Sequence, residues 1–146
     1  MFDINHQVGI KAPPESVYEA LTTNQGLSTW WTHDTSGAGE VGSTIEFRFN
    51  GGGPDFTVTA LEPNKQVKWQ HSGNMPEAWM GTEITFNLRE EDGQTFVRFT
   101  HGNWKEQSNF MGHCSTKWAV FLLSLKDALE TGKGRAFPND IHIDHS

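Results

Sequence analysis

One cysteine in 146 residues, Cys114, excludes any intrachain disulfide and leaves no mark of an oxidising compartment. Long apolar runs are also missing. The longest, Ala119 to Leu123, falls far short of the roughly 20 residues that a membrane-spanning helix needs. The N-terminus, Met1-Phe2-Asp3-Ile4-Asn5-His6, has neither a basic stretch nor the apolar core of a secretory leader, so a cytoplasmic location is expected. Basic charge is sparse and scattered: eleven Lys and Arg, never adjacent, against eighteen Asp and Glu, for a net charge of −7. Nothing forms a stripe that would neutralise phosphates, which argues against nucleic acid and anionic membranes as partners.

Several chemical signatures are absent as well. No Cys-x-x-Cys or His-x-x-x-His spacing occurs among the seven histidines and the cysteine, and His113 and Cys114, adjacent on a helix, would point about 100° apart. No metal or other cofactor is expected. There is no Gly-x-Ser-x-Gly elbow, and Gly51-Gly52-Gly53-Pro54 lacks the Gly-Lys-Ser/Thr and helix of a phosphate loop. No repeat and no linker divides the chain, so residues 1–146 are expected to form a single domain around one core. Residues 135–146, with Pro138, are expected to form a loosely attached tail, and its His142-x-Asp144-His145 to be mobile.

What is present is a strand-rich middle between helical ends. Phe2, Ile4, His6, Val8 and Ile10 alternate with polar neighbours, the period of a half-buried strand. Pro13-Pro14 ends it and opens a short helix with Val17, Ala20 and Leu21 on its apolar face. A second short helix is predicted over Gln25 to Trp31, and a loop over Thr32 to Gly42. Alternating segments follow around 45–49, 56–61, 67–71, 84–88 and 95–100, separated by turns such as Glu62-Pro63-Asn64-Lys65 and Glu91-Asp92-Gly93. Such short spacings imply an antiparallel meander. The last helix shows Trp118, Phe121, Leu122, Leu125, Ala128 and Leu129 on one wide face, with Gly132 or Gly134 as its cap.

The chain resembles the START-like (SRPBCC) superfamily, and within it the heat-shock-protein-90 ATPase activator-like branch. The residues that carry the resemblance are Ile10-x-Ala12-Pro13-x-Glu15-x-Val17-Tyr18-x-Ala20-Leu21-Thr22, Leu27-x-x-Trp30-Trp31, Gly42-Ser43-x-Ile45-x-Phe47 and Trp118-x-x-x-Leu122-x-x-Leu125-Lys126-x-x-Leu129-Glu130-x-Gly132. The resemblance implies an α+β helix-grip fold: a curved antiparallel sheet wrapped around a long C-terminal helix, two short helices after the first strand, and a cavity between sheet and helix. It implies no single activity, since its members include lipid carriers, cyclases and co-chaperone domains.

Six Trp and ten Phe are many for this length. Trp69, Phe86, Phe99 and Trp118 fall on inward phases, where large aromatics either fill a core or line an apolar pocket. Trp30, Trp31 and Trp79 sit in or beside loops and suit a pocket mouth or an interface. Ser72 to Gly81, with Met75, Trp79 and Met80, serves equally as a lid, a partner contact, or a loop whose Trp folds back onto the sheet. Strand alternation puts His71 with Trp69 and His101 with Phe99, which makes these histidines the inward polar candidates. Each either anchors a ligand or bonds to the backbone. Glu46 and Arg48, opposite Phe47, are expected to face solvent.

The leading expectation is a domain that binds a small hydrophobic or amphipathic molecule, with Trp69, His71, Phe86, Phe99, His101 and Trp118 around the cavity and Trp79 and Trp30 near its mouth. No residue is assigned a catalytic role. The resemblance implies a second reading, a co-chaperone-like interaction module with a chaperone partner, although the additional N-terminal domain of the eukaryotic activators is not expected here. A third is a cyclase- or hydrolase-like enzyme that uses His71 and His101. Self-association as a homodimer through a strand edge or the Trp79 loop is compatible with each.

Overall fold

Seven antiparallel strands and one long helix organise the chain in the computed structural model, which describes residues 1–144; His145 lies outside the described residues. β1 (Phe2–Ile10) leads into α1 (Pro14–Thr22) and α2 (Asn24–Trp30). Then come β2 (Asp34–Ser36), β3 (Thr44–Arg48), β4 (Pro54–Glu62), β5 (Gln66–Asn74), a 3-10 turn (Glu77–Trp79), β6 (Glu83–Glu91), β7 (Gln94–Trp104) and α3 (Asn109–Thr131). The sheet order is β1-β7-β6-β5-β4-β3-β2. The chain therefore has the α+β helix-grip fold, a curved antiparallel sheet with the two short helices after β1 and α3 across its concave face.

Local chemistry explains most of these elements. Pro14 opens α1, where its missing N–H costs nothing, and Val17, Ala20 and Leu21 are buried as their spacing predicts. Thr23 caps α2 by accepting from the Gly26 N–H at 2.9 Å. Between β6 and β7, Asp92 and Gly93 both take positive φ (53° and 76°), the condition for a hairpin turn whose twist matches its strands. At Gly53 a Cβ would lie 1.9 Å from the Phe47 carbonyl oxygen, so only glycine lets β4 leave the β3 turn this closely. Register shifts in β4 against β5, at Asp55/Phe56 and Val58/Ala60, add bulges that bend the sheet around the helix.

Two elements differ from the sequence expectation. The predicted Thr32–Gly42 loop contains β2, a polar three-residue edge strand that pairs with β3. Its pairing is carried by backbone, so no apolar alternation announces it. The last helix starts at Asn109, nine residues before Trp118, capped by Ser108 accepting from the Met111 N–H at 3.2 Å. Gly112 and the Ser115-Thr116 pair have weak helix propensity, and tertiary packing of Met111 and Cys114 overrides it. Gly132 ends the helix in the left-handed region, as expected.

α3 is tied to β1 along its length. His6 Nε2 meets the Ser115 carbonyl at 3.0 Å, and Lys126 Nζ donates to the Gly9 carbonyl at 2.6 Å. The expected loose tail makes definite bonds in its first half. Arg135 N–H donates to Ser124 Oγ at 2.7 Å, and Phe137 bridges to Thr32 through an N–H bond to the Trp31 carbonyl at 2.8 Å. Residues 135–143 thus run back across the end of the sheet beside the N-terminal half of α3.

A walled cavity beside a buried histidine

The inner face of the sheet converges on His101. It stands fully buried on β7, with Ile84 opposite on β6. The Trp118 indole N–H, reaching down from α3, donates to His101 Nδ1 at 3.1 Å. His101 Nε2 lies 3.0 Å from Thr82 Oγ1, and that hydroxyl donates to the Trp79 carbonyl at 2.6 Å. An indole can only donate, so Nδ1 must accept, and Nε2 must carry the proton that it gives to Thr82. The ring is therefore neutral, in one tautomer, with both nitrogens engaged. Burial, and secondarily the nearby His71, lowers its pKa to about 3. Such a histidine cannot take up or deliver a proton near neutral pH.

His71 stands on β5, opposite Phe56 on β4. Its ring is edge-on to Phe56 and Trp79, and both nitrogens are buried without a hydrogen-bond partner of ordinary geometry. Burial lowers its pKa, opposed in part by the Met75 backbone and the Asp55 carboxylate. Trp79 folds back from the 3-10 turn, edge-on over His101 and stacked against Trp118 at 6.1 Å. Met75 and Met80, on either side of it, remain exposed.

Beyond this layer, toward the N-terminal end of α3, a cavity of about 640 Å³ opens. One wall is α3, presenting Phe110, His113, Cys114, Lys117, Trp118 and Phe121. These positions follow i, i+3, i+4, i+7, i+8 and i+11, one helical stripe. Trp31 and Phe49 stand opposite with the Gly52–Pro54 turn, Met75 to Trp79 close one side, and Phe137 to Ile143 close another. Trp31 packs 4.2 Å from Phe47 and 4.9 Å from Trp118, and lies parallel to Trp69 at 6.3 Å. The walls are mostly apolar, with seven Trp and Phe side chains among them. The charged exceptions are Lys117 and Asp140, paired across α3 and the tail. Lys117 Nζ also donates to the Ile141 carbonyl at 2.8 Å and sits 4.9 Å over the Phe121 ring. Cys114 is buried in the wall, and burial pushes its thiol up to about 12, with a small opposing effect from the Trp79 indole. It is a thiol at neutral pH and not a nucleophile.

This architecture has known counterparts. Residues 11–130 match the family described as Activator of Hsp90 ATPase homolog 1-like protein. The chain belongs to this family. The solution structure of the Aha1 dimer from Colwellia psychrerythraea is 72% identical, with a TM-score of 0.86 over 92% of this chain and 100% of that one. A crystal structure of a Staphylococcus saprophyticus protein shares the fold at 24% identity (TM-score 0.77, 92% of this chain and 97% of that one). So does CalU16 of Micromonospora echinospora at 17% (TM-score 0.73, 90% and 67%). No curated protein shows a significant match to the chain. As in other START-like folds, the concave sheet and the long helix set the frame, and side chains decide where space remains.

In this member of the family, Trp79 and Trp118 line the cavity. Trp30, Trp69, Phe86, Phe99, His71 and His101 do not. Trp30 stacks behind Trp31 with ring centroids 6.1 Å apart and donates its indole N–H to the Ala20 carbonyl at 2.9 Å. Trp69, Phe86 and Phe99 are packed against one another and their neighbours, with ring centroids 5.2 and 5.3 Å apart. The expected space between sheet and helix is filled at their level by aromatic rings, and the opening lies further along α3. Phe110, Lys117, Phe121, Phe137 and Asp140 were not anticipated as lining residues. The stripe on α3 was legible once the helix is extended back to Ser108; the tail residues carried no such signal. Arg48 reaches back to Asp55 at 2.8 Å and is partly buried, whereas Glu46 remains exposed. Among the described residues, no helix is long and apolar enough to cross a membrane.

Proposed function

We propose that the chain holds a small apolar or amphipathic molecule in the cavity between the N-terminal half of α3 and the returning tail. The observation that carries this reading is the cavity itself: about 640 Å³, with seven Trp and Phe side chains among its walls and one Lys–Asp pair as its charged groups. Ligand pockets span about 300–1,000 Å³ and combine apolar walls with few polar groups. Catalysis by His101 forms no part of this reading, because both of its nitrogens are engaged.

The test is native mass spectrometry of protein purified gently from its own cytosol, compared with the denatured mass. A reproducible extra mass that disappears on denaturation, and is lost when Cys114→Phe fills the wall, is the expected result. A bare chain mass, together with no change in tryptophan fluorescence across a panel of apolar compounds, rules the reading out.

A second reading is favoured by the relative in Colwellia psychrerythraea, described as an Aha1 dimer. At 72% identity this chain is proposed to form a homodimer too, and to engage a chaperone of the Hsp90 class. Light scattering after size exclusion checks the first part, with a dimer mass expected. Chaperone ATPase rates with and without the protein check the second. No binding and no stimulation would reject it.

A further inference from the structure

The cavity's charge pattern narrows the class of molecule it suits, an inference that rests on the ligand reading above. Lys117 projects from the middle of a 23-residue helix whose inner face is locked into the core, and its ammonium is held over the Phe121 ring. Its carboxylate partner, Asp140, sits on the tail in neither helix nor strand. The hydrogen bonds that fasten Asp140 and Ile141 to the body run through Lys117 Nζ. Before that point the tail is anchored independently, by Phe137 to Trp31. Of the two charges, the ammonium is therefore fixed and the carboxylate is the one that can leave.

Removing Asp140 from the wall changes its electrostatics. What then faces the space from α3 is the ammonium beside the His113 imidazole; His142, ion-paired with Asp144 at 2.9 Å, belongs to the same tail beyond Asp140, and no other carboxylate is among the lining residues. An ammonium in an apolar surround requires an anionic partner, because the desolvated charge is costly alone. We infer that the cavity binds an amphipathic monoanion, a carboxylate-headed molecule with an apolar body, whose head takes the place of Asp140 on Lys117 while its body lies among Trp31, Trp79, Trp118 and Phe121. The Asp140 side chain is an internal stand-in for that head. A neutral or cationic ligand would leave the Lys117–Asp140 pair in place and gain nothing from it.

Titration calorimetry on the full chain at pH 7.5, with decanoate, decanol and decyltrimethylammonium below their aggregation limits, tests this. These probes share one apolar body and differ in head charge. A charge-assisted hydrogen bond in a largely dry site is worth about a factor of ten or more. Decanoate is expected to bind at least about tenfold tighter than the other two. Lys117→Met should bring decanoate to the level of decanol. Asp140→Asn should tighten decanoate several-fold and leave decanol unchanged, because the competing carboxylate is gone. Equal binding of decanoate and decanol to the native chain, or an unchanged ratio in Lys117→Met, overturns the inference and leaves the ligand reading standing. If none of the three binds, both fail together. Should Lys117→Met prove unfolded by its melting curve, the decanoate-to-decanol ratio in Asp140→Asn decides: a rise supports the exchange and an unchanged ratio refutes it.

Discussion

His101 has its tautomer set by its neighbours: an indole that can only donate faces one nitrogen, and a hydroxyl already committed to a carbonyl faces the other. In the unfolded chain such a ring titrates near 6.5; in the fold it titrates at about 3. Above pH 6.5 both states are neutral and its contribution to stability is complete. As pH falls below 6.5 the unfolded chain takes up a proton that the folded chain refuses. Stability should then drop by up to about 1.4 kcal/mol per pH unit until about pH 3, and the lowered pKa of His71 acts in the same direction. Urea unfolding at pH 7 and pH 5 measures this. His101→Gln should reduce the slope while costing about 1–3 kcal/mol at pH 7, because it disturbs the partners of a buried indole and hydroxyl; an unchanged slope would assign the acid sensitivity elsewhere. The thiol of Cys114, held protonated by burial, should react with iodoacetamide far more slowly in the native protein than in urea. Equal rates would contradict its burial.

Among the elements, α3 does most to define the site, and its first two turns are the part that propensity alone does not favour. The Ser108 cap and the burial of Met111 and Cys114 hold those turns. Ser108→Ala should cost about 1 kcal/mol in denaturant unfolding, with the loss concentrated at the cavity end of the helix. Amide exchange would show this as faster exchange at residues 110–114 than at 121–125; uniform behaviour would mean that the cap is not what holds the end. The β3–β4 turn is a second constrained element. Gly53→Ala forces a Cβ into the Phe47 carbonyl, so it should displace the turn and lower the melting temperature, whereas Gly51→Ala, with open space at its Cβ but a φ of 88°, should cost less. Equal losses would mean that backbone conformation, rather than contact, sets the cost.

At the scale of the whole molecule, the returning tail converts an open end of the helix-grip frame into a walled cavity. Beyond the Arg135 N–H bond to Ser124 Oγ it is held at two points of different character: a backbone bridge at Phe137 and an ion pair at Asp140. The bridge should survive events that break the pair. Amide exchange in 139–143 is therefore expected to be faster than at Phe137 in the free protein, and Asp140→Asn should widen the gap. A tail that exchanges as one unit would contradict the two-point attachment.

The succession of strands and helices, the hairpin turns and the inward phase of Trp69, Phe86, Phe99 and His101 follow from periodicity and turn chemistry, because these are properties of neighbours in the chain. The resemblance residues around Pro13-Pro14 and Trp118 to Gly132 carried the fold in the same way. The choice between Trp30 in the core and Trp31 in the cavity wall depends on how α2 ends against α3, and hence on packing. That His101 is held as a structural group, accepting at Nδ1 and donating at Nε2, depends on an indole from α3 and a hydroxyl just before β6 meeting it. Lys117 and Asp140 lie 23 residues apart, and the three-residue β2 gives no apolar alternation. The sequence by itself determined which segments form elements and which faces they bury, since those preferences are local. Only the tertiary structure decided where the frame is filled by rings and where it stays open, because a cavity is the difference between the volume that distant elements enclose and the volume their side chains occupy.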